Sequence, residues 1–194
     1  MIKDLVIQTR SCRRFHENRA ISPETLKSLV DLGRLSASAA NRQPLKYILS
    51  TDPATNEKIF PCLAWAAYLK DWAGPAIGER PAGYIIILVD TRVSNDYWCD
   101  HGIAGQSILL GATEKGLAGC FIGAINKDRL REALSIPPHF KIELVIALGE
   151  PAETIVLEST ADCDGSIRYW RDENGVHHVP KRPLDEIIVD AYPR

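Results

Sequence analysis

The period of the apolar positions changes several times along the chain, and each change marks an element. Residues 2–9 fit a short helix. Ser22-Pro23 then places serine at an N-cap and proline at the first helical position, and Leu26, Leu29, Val30 and Gly33 recur at helical spacing to about Ala37. Leu45 to Ser50 has strand character, and Asp52-Pro53 opens a short helix that Pro61 interrupts after Phe60. Leu63 to Trp72 carries Trp65, Tyr68 and Trp72, either as a second helical piece or as a covering flap, and the Gly- and Pro-bearing residues 74–83 are a loop. The unbroken apolar run Tyr84 to Val89, closed by Asp90, predicts a strand over 84–90 covered on both faces.

The stretch Asp100 to Gly123 looks like the piece around which the rest is built. Ile103, Leu109, Leu110 and Leu117 stand among small residues at Gly102, Ala104, Gly105, Ser107, Gly111 and Ala112, so apolar and tiny side chains occupy most of a helix circumference. Glycines inside an exposed helix cost about 1 kcal/mol each. Their presence predicts close approach by another helix, a sheet or a cofactor. Asp100 is the expected N-cap, and Gly116 to Gly123 the expected tight turn. Asn126 can cap a helix through Leu134, residues 142–149 form a second buried strand, and Asn174-Gly175 between Ile167–Trp170 and Val176–Val179 signals a hairpin. Strands and helices lack the regular alternation of a doubly wound nucleotide fold, and GxGxxG is absent.

With 194 residues, 45 % hydrophobic and 25 % charged, the chain can bury one sizeable core, and one domain is the expectation. The five cysteines form no CxxC pair, which argues against a disulfide framework. Neither a signal h-region nor a membrane-length apolar run occurs, so a cytoplasmic location is expected, with no membrane partner. The net charge of −2 hides an asymmetry: residues 1–50 hold nine Lys/Arg against four Asp/Glu. A local basic excess suits a small anion better than nucleic acid, which wants a broad basic face.

Candidate chemistry concentrates in three places. RSCRRF at 10–15 sets Arg10 and Arg13 three apart with Ser11 between, and arginine's planar fork suits phosphate oxygens; a solvated charge cluster is the alternative. SASAANRQP at 36–44 offers the amides of Asn41 and Gln43 to a heterocycle or polyol, or to their own backbone. Lys181 and Arg182 are held between Pro180 and Pro183, with less freedom to lose on gripping an anion. No histidine, cysteine or carboxylate set has metal-site spacing, and no serine sits in a nucleophile elbow. Any chemistry therefore belongs to something the chain binds.

In order along the chain, RSCRRF (10–15), SASAANRQP (36–44), the Gly-rich helix with GLAGCFIGA (116–124), the strand ending in GEP (149–151) and PKRPLDEII (180–188) resemble the nitroreductase family of FMN-dependent NAD(P)H oxidoreductases, in its small single-domain branch. The resemblance implies an α+β fold, a mostly antiparallel central sheet flanked by helices with a long central helix, and a homodimer with FMN at its interface. It implies one domain over 1–194, with a hairpin and tail at 166–194 closing the cofactor phosphate site. Arg10, Ser11, Arg13, Lys181 and Arg182 would meet the phosphate and ribityl. Ser38, Asn41 and Gln43 would reach the ring or ribityl from the partner subunit, while Cys120, Phe121, Ile122 and Gly123 would lay backbone N–H near flavin N5. NADH or NADPH would reduce FMN, and a small planar acceptor such as a nitroaromatic or quinone would take the electrons. An FMN-dependent dehydrogenase, a flavin-transforming enzyme and a non-catalytic flavin-binding dimer stay open as alternatives. Catalytic side chains are not assignable, and the sequence departs from the family pattern at Thr9, Ala37 and Leu45.

Overall fold

The computed structural model describes residues 1–192, which fall into two compact units: Met1–Trp65 with Ala73–Ala152, and Ala66–Trp72 with the chain from Glu153 onward. The first unit is organised by an antiparallel sheet of β1 (Leu45–Ser50), β2 (Gly83–Asp90), β3 (Ala118–Ile122) and β4 (Phe140–Gly149), in the order β1-β2-β4-β3. Every residue of β2 is buried, as its unbroken apolar run predicts. Strand alternation then divides its side chains between two cores. Tyr84, Ile86 and Leu88 join Ile59, Cys62 and Ile142 on one face, and Ile85 and Ile87 join Leu26, Leu29, Ile108 and Ile146 on the other. The register shifts between Ile87 and Leu88, which face Leu144 and Ile142, so Glu143 is the extra residue of a β-bulge.

Five helices flank this sheet: α1 (Ile2–Gln8), α2 (Pro23–Leu35), α3 (Pro53–Ile59), α4 (Asp100–Glu114) and α5 (Lys127–Ala133). The caps at Ser22, Asp52 and Asn126 form as their residue types predict, each side-chain oxygen accepting a first-turn N–H at 2.9–3.1 Å. Leu26 and Leu29 are fully buried from α2, each contributing about 1.5–3 kcal/mol in area removed from water.

Three sequence expectations are corrected here. Asp100 is the first residue of α4 and not its N-cap, a position Cys99 takes without a side-chain bond, because the Asp100 carboxylate is drawn to Ser38 and Ala39. The stretch Cys120–Gly123 is not a turn. Gly116, at φ 74°, makes the reversal, and 118–122 runs on as β3 because its residues pair with β4. The helical glycines serve the chain's own packing: a Cβ at Gly111 would strike Leu32 of α2, and one at Gly105 would strike Phe121 of β3. Gly105 and Gly111 therefore do not form a seam for a second chain.

The second unit holds β5 (Ile155–Ser159), β6 (Trp170–Arg171), β7 (His177–Lys181) and a one-turn helix α6 (Leu184–Ile187), with strand order β5-β7-β6. β6 and β7 form the expected hairpin, with a shorter first strand than 167–170 suggested, and β5 runs parallel to β7. Gly175, at φ 78°, supplies the turn, while the Asp172 carboxylate accepts from the N–H groups of Asn174 and Val176 at 3.0 and 2.8 Å. His178 sits between Glu158 (Nδ1–Oε1 2.7 Å) and Asp172 (Nε2–Oδ2 3.5 Å), its ring stacked on Trp170. Residues 66–72 form no helix. Tyr68 packs on Tyr169, and Trp72 lies under the Arg171 guanidinium at 4.8 Å. The two aromatics thus belong with the hairpin, whereas Trp65 lies in the first unit beside Phe60. The expected tail runs two residues past the described part. Among the described residues no helix is long and apolar enough to cross a membrane.

Candidate functional site

The N-terminal basic segment is a strap fixed at every third residue. Thr9, Cys12 and Phe15 are buried, while Arg10, Ser11, Arg13 and Arg14 lie between them. The Thr9 hydroxyl donates to Leu5 O and meets Thr113 Oγ1 of α4 at 2.8 Å, so the residue that departs from the family pattern is an anchor. Ser11 bridges Gly119 of β3, and the Cys12 N–H donates to the Gly119 carbonyl at 3.1 Å. Glycine is required at 119, because a Cβ there would strike the Ala147 carbonyl of β4.

This anchoring sets the polarity of the edge strand. Gly119 turns its carbonyl outward to the strap, so the alternation of an antiparallel ladder points the backbone of Cys120 and Ile122 toward β4 and that of Phe121 to the outer edge. Beside that edge, Arg10 donates from Nη2 to Val6 O at 2.6 Å, while its Nε is buried and has no hydrogen-bond partner among the described residues. Burial lowers the Arg10 guanidinium from its ordinary value. Arg13 donates to the Ser11 carbonyl at 3.2 Å. Arg14 forms a two-pronged pair with Glu79, whose Nε–Oε2 bond is 2.9 Å.

The loop 36–44 sits at the other end of α4. Asp100, 2 % exposed, accepts from the Ser38 hydroxyl at 2.7 Å and the Ala39 N–H at 2.9 Å, and Ser38 Oγ in turn accepts from the Gln43 N–H at 2.9 Å. The Gln43 amide donates to Asn41 Oδ1 at 3.0 Å. Ala40, Asn41 and Gln43 all have φ between 48° and 53°, a left-handed conformation costing about 1–3 kcal/mol at each residue and persisting only where the surroundings impose it. Asn41 and Gln43 are exposed on this loop. A cavity of about 400 Å³ opens beside it, lined by Gly33, Ser38, Gln43, Tyr47, Asp100 and Ala104. Burial and then Asp100 push the Tyr47 phenol up to about 12, so its hydroxyl stays protonated.

Sequence reasoning missed Asp100 as the bolt of this loop, and it missed a cluster one helical turn away. Tyr97 donates to Glu143 Oε1 at 2.9 Å, Lys141 pairs with the same carboxylate at 2.9 Å, and the His101 ring meets Tyr97 edge-on. Bonds to Tyr97 and Glu143 raise Lys141. Only the bulge at Glu143 brings these groups together, and no motif spacing marks it.

The structure thus lays the strap with Arg10, Ser11 and Arg13 along β3 at Gly119, anchored through Thr9 on Thr113 near one end of α4, and gathers Ser38, Asn41 and Gln43 by Asp100 at the other end, while Phe121 lies between them beside Gly105. At 1.5 Å per residue the two anchor points, Thr113 and Asp100, are roughly 20 Å apart within one chain. Lys181 and Arg182 belong to the second unit; both are exposed, with Arg182 paired to Glu186 at 3.2 Å.

A model of the nitroreductase family matches residues 6–150. The chain belongs to the nitroreductase family. Among nitroreductase relatives, a Methanothermobacter thermautotrophicus protein, provisionally named an NADH dehydrogenase/NAD(P)H nitroreductase, is 30 % identical over 154 residues, spanning 76 % of each chain. An NADPH-dependent oxidoreductase of Staphylococcus aureus is 24 % identical over 96 % of this chain and 72 % of its own. The fold is shared with a nitroreductase family protein of Streptococcus pneumoniae, with TM-score 0.71, 17 % identity, and coverage of 98 % of this chain and 100 % of that one. FMN-dependent NAD(P)H oxidoreduction is the family's general activity. The match ends at residue 150, before the PKRPLDEII stretch.

Proposed function

We propose that the chain works as a homodimeric FMN-dependent oxidoreductase that takes electrons from NADH or NADPH and passes them to a small planar acceptor such as a nitroaromatic or quinone. The observation that carries this reading is the strap on β3, where a buried Arg10 Nε without a partner among the described residues, the exposed Ser11 and the outward backbone of Phe121 share one sheet edge. That donor set fits a cofactor with an anionic end and a hydrogen-bonding heterocycle. FMN, when bound, would supply hydride acceptance and delivery at its ring. Arg10, Ser11 and Arg13 would hold its phosphate end, and Phe121 and Gly123 would present backbone N–H to the ring. Asn41 and Gln43 would reach it from the partner, on a loop that Asp100 and Ser38 keep in shape.

Two features support the two-chain arrangement. The strap and the amide loop lie a helix length apart in one chain, and Leu32, Leu35, Ile103, Val6 and Ile7 of α1, α2 and α4 expose apolar surface that a second copy would cover. Lys181 and Arg182 are proposed as further phosphate ligands on the resemblance alone. The visible spectrum of the purified protein, followed anaerobically during addition of NADH and then NADPH, tests the reading. A flavin spectrum bleached by either nucleotide and restored by a quinone is the expected result. Bound flavin that neither nucleotide reduces would leave a flavin-binding dimer instead.

A further inference from the structure

Seven non-glycine residues among those described have positive φ, and four of them belong to two linked segments: Ala40, Asn41 and Gln43 in the amide loop, and Trp98 at the entry to α4. Trp98 has φ 44°, a left-handed conformation that a large side chain rarely adopts, and the residue is 77 % exposed. Neither local preference nor burial accounts for it, because an indole gains by leaving water and a left-handed tryptophan gains by relaxing. The contacts on either side hold it there. Asp96 pairs with Arg42 at 2.7 Å, Tyr97 donates to Glu143 at 2.9 Å, and Asp100 accepts from Ser38 and Ala39. The segment is thus tied to the amide loop at two points and to the bulge of β4 at a third. Backbone strain persists where the surroundings over-determine it, and it gathers at sites that must present a group.

The same contacts fix where the indole goes. Trp98 is two residues from Asp96 and two from Asp100, at most about 7 Å of chain from either contact with the amide loop. A surface that receives Asn41 and Gln43 therefore lies within reach of Trp98. The charged groups that its neighbours engage are paired among themselves, Arg42 with Asp96 and Lys141 with Glu143, so this corner offers an aromatic face and not a free ion. An indole supplies a large, rigid contact area at little cost in side-chain entropy, and a flat ring system is what it stacks on best.

We propose that Trp98 enters the flavin site of the second copy together with Asn41 and Gln43, and stacks there on the planar acceptor; the inference rests on the flavin reading above. With NADH or NADPH saturating, Trp98→Ala should raise the KM for the quinone menadione about three- to tenfold, the worth of one ring stack. The rate with ferricyanide, which has no ring to stack, should change less, and the flavin spectrum and the sedimentation-equilibrium dimer should match the parent. Trp98→Phe should recover most of the loss. Trp98→Gly should show the same rise in KM yet melt at or above the parent, because glycine occupies the left-handed region without strain and the indole it removes was already in water. Co-expression of Trp98→Ala chains with Arg10→Gln chains, at an FMN concentration that leaves the Arg10→Gln homodimer empty, tests the crossing. The mixed dimer keeps one site with Arg10 from one chain and Trp98 from the other, and should reduce menadione with the parent's KM. The proposal fails if Trp98→Ala leaves that KM unchanged, if it lowers the melting temperature or dissociates the dimer, since the indole would then be packing, or if the mixed dimer shows only the raised KM. A parent without reducible flavin would overturn the flavin reading and this inference with it, whereas an active parent beside an indifferent Trp98→Ala overturns this inference alone.

Discussion

Arg10 is the side chain on which the proposed phosphate site most depends. Its stem is half-buried, one nitrogen is tied to Val6 O, and the buried Nε is left without a partner among the described residues. Arg10→Gln should lower FMN affinity about tenfold or more, since a hydrogen bond to a charged group contributes about 1.5–3 kcal/mol. Fluorescence titration of the apoprotein with FMN and riboflavin measures it, and equal losses for both ligands would move the phosphate elsewhere. Ser38 acts differently, because its hydroxyl proton is committed to Asp100. Ser38→Ala leaves a buried carboxylate one donor short and releases the Gln43 N–H, so a stability loss of about 1–3 kcal/mol is expected in a thermal melt.

Among the elements, α4 and the C-terminal hairpin make separable predictions. Replacing Gly111 with alanine presses on the terminal methyl of Leu32, which is partly exposed and can swing aside, whereas the same change at Gly119 meets the Ala147 carbonyl in the middle of a sheet. Gly111→Ala should therefore melt near the parent. Gly119→Ala should lose several kcal/mol or fail to fold, because backbone cannot yield as a side chain does. In the hairpin, the bond to Glu158 raises His178, with Asp172 on its other nitrogen. A raised folded value means the imidazolium clasp stabilises fully below the ordinary histidine value of about 6.5 and is lost as pH rises through the raised one. Melts across that range should show stability falling with pH, and His178→Gln should flatten the dependence; an NMR titration of the ring protons locates the midpoint.

At the scale of the whole molecule, the exposed apolar faces of α1, α2 and α4 and the separation of the strap from the amide loop support the proposed second copy. If the proposed dimer forms, Leu35→Glu combined with Ile103→Glu should shift it toward monomer in sedimentation equilibrium and weaken FMN binding in parallel. Both side chains are exposed, so the fold should survive. A parent that stays monomeric at micromolar concentration with flavin bound would rule out the two-chain site.

The sequence by itself determined the elements and the family. Caps at Ser22, Asp52 and Asn126, the unbroken run of β2 and the Asn174-Gly175 turn are local signals, settled by residues within a few positions of each other. The motifs RSCRRF and SASAANRQP were likewise visible, since a motif is a local arrangement. Tertiary structure alone decided what those residues touch. The glycines of α4 read as room for a neighbour, but only the packed fold shows Leu32 and Phe121 filling it. Asp100 had the composition of a cap, and its draw toward Ser38, 62 residues away, is a long-range contact with no local trace. Cys120–Gly123 read as a turn because glycine flanks it, yet pairing with β4 outweighs that propensity. Glu143 at its bulge and Arg80 over Phe60 depend on register and on segments far apart in the chain, where periodicity carries no information.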